Sequence, residues 1–231
     1  MEPGAATYPA VAVEERSFLT RVMGWMFAGL AITGVIAWAV GTSEDAVAWF
    51  DDHIWVFLVL IVAQFVAVAG LSLRIQRLSP PVAAAIFLGY SALNGLTFSI
   101  IFSVYTTTSI AGAFFVTSAM FGALAIYGWT TKRDLSSVGS IAFMALIGLI
   151  LASVVNLFWA NSTLYWITTY AGVAIFAALT AYDIQKIKQL NVRGNTGTDD
   201  DKREAILGAL ALYLDFINLF LFVLRIFGRE R

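Results

Sequence analysis

Seven apolar stretches punctuate the chain, at about Val22–Gly41, Ile54–Leu73, Pro81–Val104, Ser109–Trp129, Val138–Ala160, Leu164–Tyr182 and Ala205–Ile226. Each is close to the ~20 residues a helix needs to cross the hydrocarbon core of a bilayer. The pattern predicts an all-α membrane protein of seven transmembrane helices. Most connections are short, so consecutive helices are expected to be antiparallel neighbours. Only Gln185–Glu204, rich in Lys, Asp, Gly and Asn, reads as a substantial loop. Ser79-Pro80-Pro81 marks a helix start, because proline suits the first turn, where its missing N–H is not needed. Residues 1–20 read as a cytoplasmic N-terminal segment, and residues 21–231 as a single seven-helix domain. The first apolar run has no small-residue cleavage pattern after it, so it reads as an uncleaved signal-anchor helix.

Charge adds an orientation. Every Lys and Arg except Arg225, Arg229 and Arg231 falls in the N-terminal segment or in the second, fourth and sixth connections. The positive-inside rule then places the N-terminus in the cytoplasm. The three C-terminal arginines conflict with an odd number of crossings. A full seventh span is the preferred reading, since the last run is long enough to cross. Trp38, Trp49, Trp55, Trp159 and Trp166 flank the outer connections, where indoles favour the headgroup level.

Composition excludes several classes of function. Of the 231 residues 60% are hydrophobic and 13% charged, and the mean hydropathy is +0.82; a soluble core does not look like this. The net charge of -1 carries no basic footprint for nucleic acid. There is no cysteine, hence no thiol chemistry and no thiolate metal site. The one histidine, His53, lies beside Asp51 and Asp52 in a polar stretch and reads as a loop residue, since a single imidazole cannot build a metal cluster.

Against that background two acids stand out. Asp183 ends the sixth apolar run and Asp215 lies inside the seventh. A charged carboxylate near mid-helix costs on the order of 2.5–3.5 kcal/mol on insertion, so it is normally paired, protonated or in contact with water. Antiparallel sixth and seventh helices put both acids in the cytoplasmic half. Contact requires the sixth helix to continue past the membrane edge, or one helix to tilt. Gly208, Ala211, Asp215 and Asn218 form a small and polar stripe on the seventh helix, and Thr169, Gly172, Phe176, Thr180 and Asp183 a similar one on the sixth. Two neighbouring carboxylates in low dielectric cannot both ionise cheaply. Sharing a proton would hold the helices together, and losing it would add repulsion. Carboxylate oxygens are also the hard ligands that calcium prefers. Arg74, closing the second helix, is the candidate ionic lock. The competing reading is a static tie among helices two, six and seven.

Weaker signals accompany the pair. Asn94 with Ser91, and Ser153 with Asn156, read as interhelical hydrogen bonds, with a pore lining as the alternative; Asn218 and Tyr182 flank the acids as possible network members. Asp199-Asp200-Asp201 could bind a cation, but reads better as a solvated loop run. Asn161-Ser162-Thr163 matches a glycosylation sequon by chance, because its connection is very tight.

At these residues the chain resembles a known family. Ala181-Tyr182-Asp183-Ile184-Gln185-Lys186-Ile187-Lys188 and Leu212-Tyr213-Leu214-Asp215-Phe216-Ile217-Asn218-Leu219-Phe220 resemble the two signatures of the Bax-inhibitor (transmembrane Bax-inhibitor-motif) family. Tyr127–Ser136 is similar to its loop after helix four, and Tyr90–Phe98 to its third helix. The resemblance implies a central C-terminal helix wrapped by two layers of three helices. It also implies a pH-sensitive calcium leak with a di-aspartate sensor at Asp183 and Asp215, which would also be the calcium ligands, and an arginine at the inner end of helix two, here Arg74. Bacterial inner-membrane members are suggested, some of them linked to a membrane-bound ATP-dependent protease.

Three functions follow in order of preference. The first is a proton-gated calcium or cation leak needing no cofactor, and the second a regulatory membrane protein that acts on such a protease, or on another partner, without ion flux. The third, an intramembrane aspartyl protease, is set aside because Asp215 lacks the glycine-rich Gly-Asp context; no enzymatic activity is expected.

Overall fold

A computed structural model describes residues 7–190 and 197–229, with the backbone alone for 7–15 and 190. Arg193 and Arg231, counted above, lie outside the described residues. The helices are α1 (Thr7–Gly41), α2 (Glu44–Asp52), α3 (Trp55–Arg74) with a 3-10 turn at Ile75–Arg77, α4 (Pro80–Phe98), α5 (Ile101–Val104), α6 (Thr107–Thr130), α7 (Ser136–Trp159), α8 (Ser162–Leu190) and α9 (Asp199–Phe227), with no strand among the described residues.

Among the described residues, seven helical runs are long and apolar enough to cross a membrane: Arg16–Gly41, Trp55–Arg77, Pro80–Val104, Thr107–Thr130, Ser136–Trp159, Ser162–Gln189 and Asp199–Phe227. The seven-helix expectation holds, and the chain is a helical membrane protein. α3 and α7 are mostly exposed, as lipid-facing helices must be, whereas α9 is the most buried of the seven.

The helix ends explain themselves locally. Pro80 and Pro81 open α4 after an extended Ser79, as expected. The tight α7–α8 connection is made by two asparagines. Asn156 Oδ1 accepts from the N–H of Asn161 (2.9 Å), and Asn161 Oδ1 accepts from the N–H of Leu164 (2.9 Å). Asn161 therefore caps α8, which is the role of the sequon-like triplet. The first connection holds α2, a short helix absent from the sequence reading, started by Ser43 accepting from the N–H of Ala46 (3.3 Å). His53 is a satisfied loop residue there, its Nδ1 2.8 Å from the Trp49 carbonyl and its ring stacked on Trp49.

One expectation fails. The long loop from Gln185 to Glu204 does not exist as such, because α8 runs to Leu190 and α9 starts at Asp199. Ile184 and Ile187, three residues apart, are both buried; this amphipathic spacing was hidden by the intervening lysine and glutamine. The acidic triplet is a solvated run only in part, and it is not a loop. It forms the first turn of α9, where the helix dipole favours negative charge. Asp199 and Asp200 are exposed, but Asp201 is buried.

The chain divides into two compact units. Among the described residues, one comprises 7–104, 187–190 and 197–213, the other 105–186 and 214–229. α9 contributes Asp199–Tyr213 to the first and Leu214–Phe227 to the second.

In the first unit α4 packs against both α1 and α3. Gly95 lets α4 approach α1 so closely that a Cβ would lie 2.9 Å from the Thr33 carbonyl oxygen. Thr33 Oγ1 then donates to the Ser91 carbonyl (2.8 Å) and accepts from the hydroxyl of fully buried Tyr213 (2.6 Å). Arg21 reaches both carboxylate oxygens of Asp201 from one nitrogen, at 2.9 and 2.7 Å. Arg203 Nε donates to the Leu78 carbonyl (2.7 Å), so the start of α9 is tied to α1 and to the α3–α4 connection.

In the second unit α9 ends beside the starts of α6 and α8. The N–H of Thr106 donates to the Arg229 carbonyl (3.2 Å), the N–H of Arg229 donates to Ser109 Oγ (3.0 Å), and Arg225 lies over the rings of Tyr165 and Phe222. These contacts support a full seventh span. They also show how its arginine is accommodated, as a cation on aromatic faces.

Candidate functional site

The acid pair lies within the second unit, where α6, α7, α8 and α9 position it. Phe222 of α9 stacks on Phe176 of α8 (5.9 Å between centroids) and lies against Gly172, where any side chain would clash with its ring. About two turns from this contact, toward the start of α9 and the end of α8, antiparallel helices bring Asp215 level with Asp183. The extension of α8 to Leu190 supplies the extra length that contact required. Phe216 is held from the other side by the edges of Phe114 and Phe121 of α6 (5.6 and 5.5 Å).

The polar stripe on α8 is buried as expected, with Thr169 and Thr180 fully enclosed. Their hydroxyls bond back to the Tyr165 and Phe176 carbonyls (both 2.7 Å). Those threonine protons are therefore spent on their own helix and not on the acids. Asp215 is 5% exposed, and its Oδ2 is buried with no hydrogen-bond partner. Asp183 is half-buried, and the two carboxyl groups are close enough for their charges to interact. The cation whose charge reaches Asp183 is Lys186, one turn further along α8, where its ammonium also lies over the Tyr182 ring (5.8 Å).

An unsatisfied buried carboxyl oxygen costs about 1–3 kcal/mol, and more when charged. A second acid within charge range adds to that penalty. The arrangement is therefore suited to taking up a proton or a hard cation, or to admitting water. Among the described residues, no cluster of three or more acidic or histidine side chains is poised to hold a metal ion.

The other candidates are distributed differently. Arg74 is exposed at the end of α3, in the first unit. Asn94, also in the first unit, is buried, and its Nδ2 donates to the Tyr90 carbonyl (3.0 Å). Asn218 does the same toward the Leu214 carbonyl (2.8 Å). Ser91 Oγ donates to the Phe87 carbonyl (2.9 Å). The interhelical bonds expected of Asn94 and Asn156 are thus bonds within a helix or a cap, since a short polar side chain readily reaches nearby backbone of its own segment, whereas Ser91 is joined to other helices by Thr33 of α1 and Tyr213 of α9. Ser153 is exposed.

Sequence reasoning passed over the support of the Asp183 turn. Gln185 is buried; its Oε1 accepts from the N–H of Leu135 (2.8 Å) and its Nε2 donates to the Arg133 carbonyl (2.8 Å). Gly128 of α6 abuts the Ala181 carbonyl, and Gly139 of α7 abuts the Tyr182 ring. The buried positions Ile184 and Ile187 around Gln185 were the available signal. Gly128→Ala would thrust a methyl into α8 backbone, which cannot rotate away. It is expected to lower stability by about 1–3 kcal/mol, read by thermal unfolding in detergent; an unchanged midpoint contradicts this packing.

The same loop makes a prediction for pH. Asp134 Oδ1 accepts from the N–H of Ser136 at the start of α7 (2.9 Å). That bond, with the Ser136 side chain, holds the Asp134 carboxyl below its ordinary 3.8. A lowered carboxyl contributes stability that is present above the unfolded-state value and lost as pH falls through the folded one. Asp134→Ala should therefore destabilise slightly at neutral pH, with the difference shrinking as the pH falls below 3.8 and gone once the folded carboxyl is protonated. A difference that persists in acid would rule out the capping role.

Seven apolar helices, the last of them carrying a buried acid, define a helical membrane protein. The chain belongs to the Bax-inhibitor family: the profile described as "Inhibitor of apoptosis-promoting Bax1" matches residues 15–231. Inner membrane protein YbhL of Escherichia coli (strain K12) is 48% identical over 217 residues, covering 94% of this chain and 93% of that protein. A protein of Deinococcus radiodurans is 41% identical over 231 residues, covering 100% and 98%. One of Borreliella burgdorferi is 40% identical over 217 residues, covering 94% of each.

Proposed function

We propose that this protein is a multi-pass protein of the bacterial inner membrane that passes calcium or a related cation in response to pH, with Asp183 and Asp215 as the sensor. The observation that carries this reading is the unpartnered Oδ2 of Asp215, 5% exposed and within charge range of a second acid. A purely structural carboxylate would be matched by donors, because a stranded one is costly. The name of the Escherichia coli relative, an inner membrane protein, supports the location. The Lys and Arg pattern supports a cytoplasmic N-terminus.

In this reading Lys186 is a counter-charge of Asp183, since it sits one turn away on the same helix. Protonation of the pair removes the repulsion between α8 and α9; loss of the proton restores it and offers two oxygens to a hard cation. The test is reconstitution in liposomes loaded with a calcium dye, with flux followed between about pH 6 and pH 8. Calcium flux that varies across this range supports the reading. Flux absent at every pH would leave the protein as a regulator of other membrane proteins, the protease among them.

A further inference from the structure

Two stretches that are separate in sequence, the α6–α7 loop and the end of α8, are joined by one side chain. The Gln185 amide spends its acceptor on the N–H of Leu135 and one donor on the carbonyl of Arg133, both at 2.8 Å. Gln185 is 7% exposed and Leu135 5%, so the bond to Leu135 is shielded from water.

Helical geometry sets the consequence. Residues two apart on an α-helix point about 200° apart, so Gln185 grips the back of the turn whose front carries Asp183. The same turn is held at Ala181 by Gly128 and at Tyr182 by Gly139, both too close for any side chain. Ala181–Gln185 is thus fixed to α6, to α7 and to the loop between them. Asp215 is held by other contacts, through Phe216 to α6 and through Phe222 to α8.

We propose that Gln185 is a positioning residue for the acid pair: its clamp on the α6–α7 loop sets how closely Asp183 approaches Asp215. The charged and titratable groups around this turn are Lys186 and Tyr182 on α8, Asp215 on α9, and Lys132, Arg133 and Asp134 in the loop, where all three are exposed. A pull on that exposed loop reaches the sensor through the amide. The inference rests on the reading of Asp183 and Asp215 as a proton-sharing pair, but it does not need ion flux.

The test is an infrared titration of the buried carboxyl band in the purified, reconstituted protein, with calcium flux measured in parallel. Gln185→Leu keeps the side-chain bulk and removes both bonds. It should move the titration midpoint of the pair by about one pH unit, and the pH profile of flux with it. Gln185→Glu keeps the acceptor for Leu135, and when protonated regains a donor for Arg133. It should follow the wild type at low pH and depart from it at high pH. Should the leucine variant fail to fold, the glutamate variant decides alone. Midpoints that stay at the wild-type value, while thermal stability falls, would reduce Gln185 to a structural tie and overturn the proposal. A midpoint that moves in a protein passing no calcium would sink the leak and keep the clamp.

Discussion

Asp215→Asn is expected to abolish the pH response of calcium flux while leaving the protein folded. Asparagine has the shape of aspartate and no titratable proton, and residue 215 makes no ion pair among the described residues that the substitution could break. A single titrating proton changes a rate by at most about tenfold per pH unit. The wild-type profile should therefore collapse to a nearly flat line in the variant. Asp183→Asn should flatten it as well, but less completely, because Asp215 is the more buried acid and keeps its unpartnered oxygen. The double variant should resemble Asp215→Asn alone, since residues that act as a unit are not additive. A steep profile surviving in Asp215→Asn would show that the proton is sensed elsewhere and end the di-aspartate reading.

The second large effect concerns the clasp at the start of α9. Arg21 spans both oxygens of Asp201, which also accepts from the N–H of Gly197 (2.8 Å). Their side chains are 35% and 1% exposed. Breaking a buried pair by removing one partner costs about 3–5 kcal/mol, chiefly because the survivor is stranded. The two deletions should therefore differ. Arg21→Ala leaves a carboxylate enclosed and should cost about 2–4 kcal/mol, discounted because its partner is partly solvated. Asp201→Ala leaves an arginine that can turn its head to water, and should cost about 1–2 kcal/mol. Unfolding of the purified protein in detergent measures both. Equal losses, or a larger one for Asp201→Ala, would contradict this account of which charge is stranded.

Both predictions concern features of very different visibility in sequence. The acid pair was legible because a carboxylate inside an apolar run is expensive wherever it lies. The clasp was not, because Asp201 sits among charged neighbours and looks solvated, and nothing local distinguishes it from Asp199 and Asp200. Its burial follows from α1 lying against it, a contact between residues 180 apart in the chain. The same holds for Gln185, which belonged in sequence to a polar loop. Its amide became structural only when the loop after α6 folded onto α8.

By itself the sequence determined the number and approximate positions of the crossings, the presence of two costly acids and the family. Those are one-dimensional properties, set by run length, by charge counts and by the price of desolvating a single group. The tertiary structure alone decided which partners those groups meet. It placed Lys186 within charge range of Asp183, assigned Arg21 to Asp201, turned Asn94 and Asn218 back on their own helices, and left one oxygen of Asp215 with no partner. Pairing depends on distances of a few ångströms between remote segments, and helix periodicity carries no information at that scale.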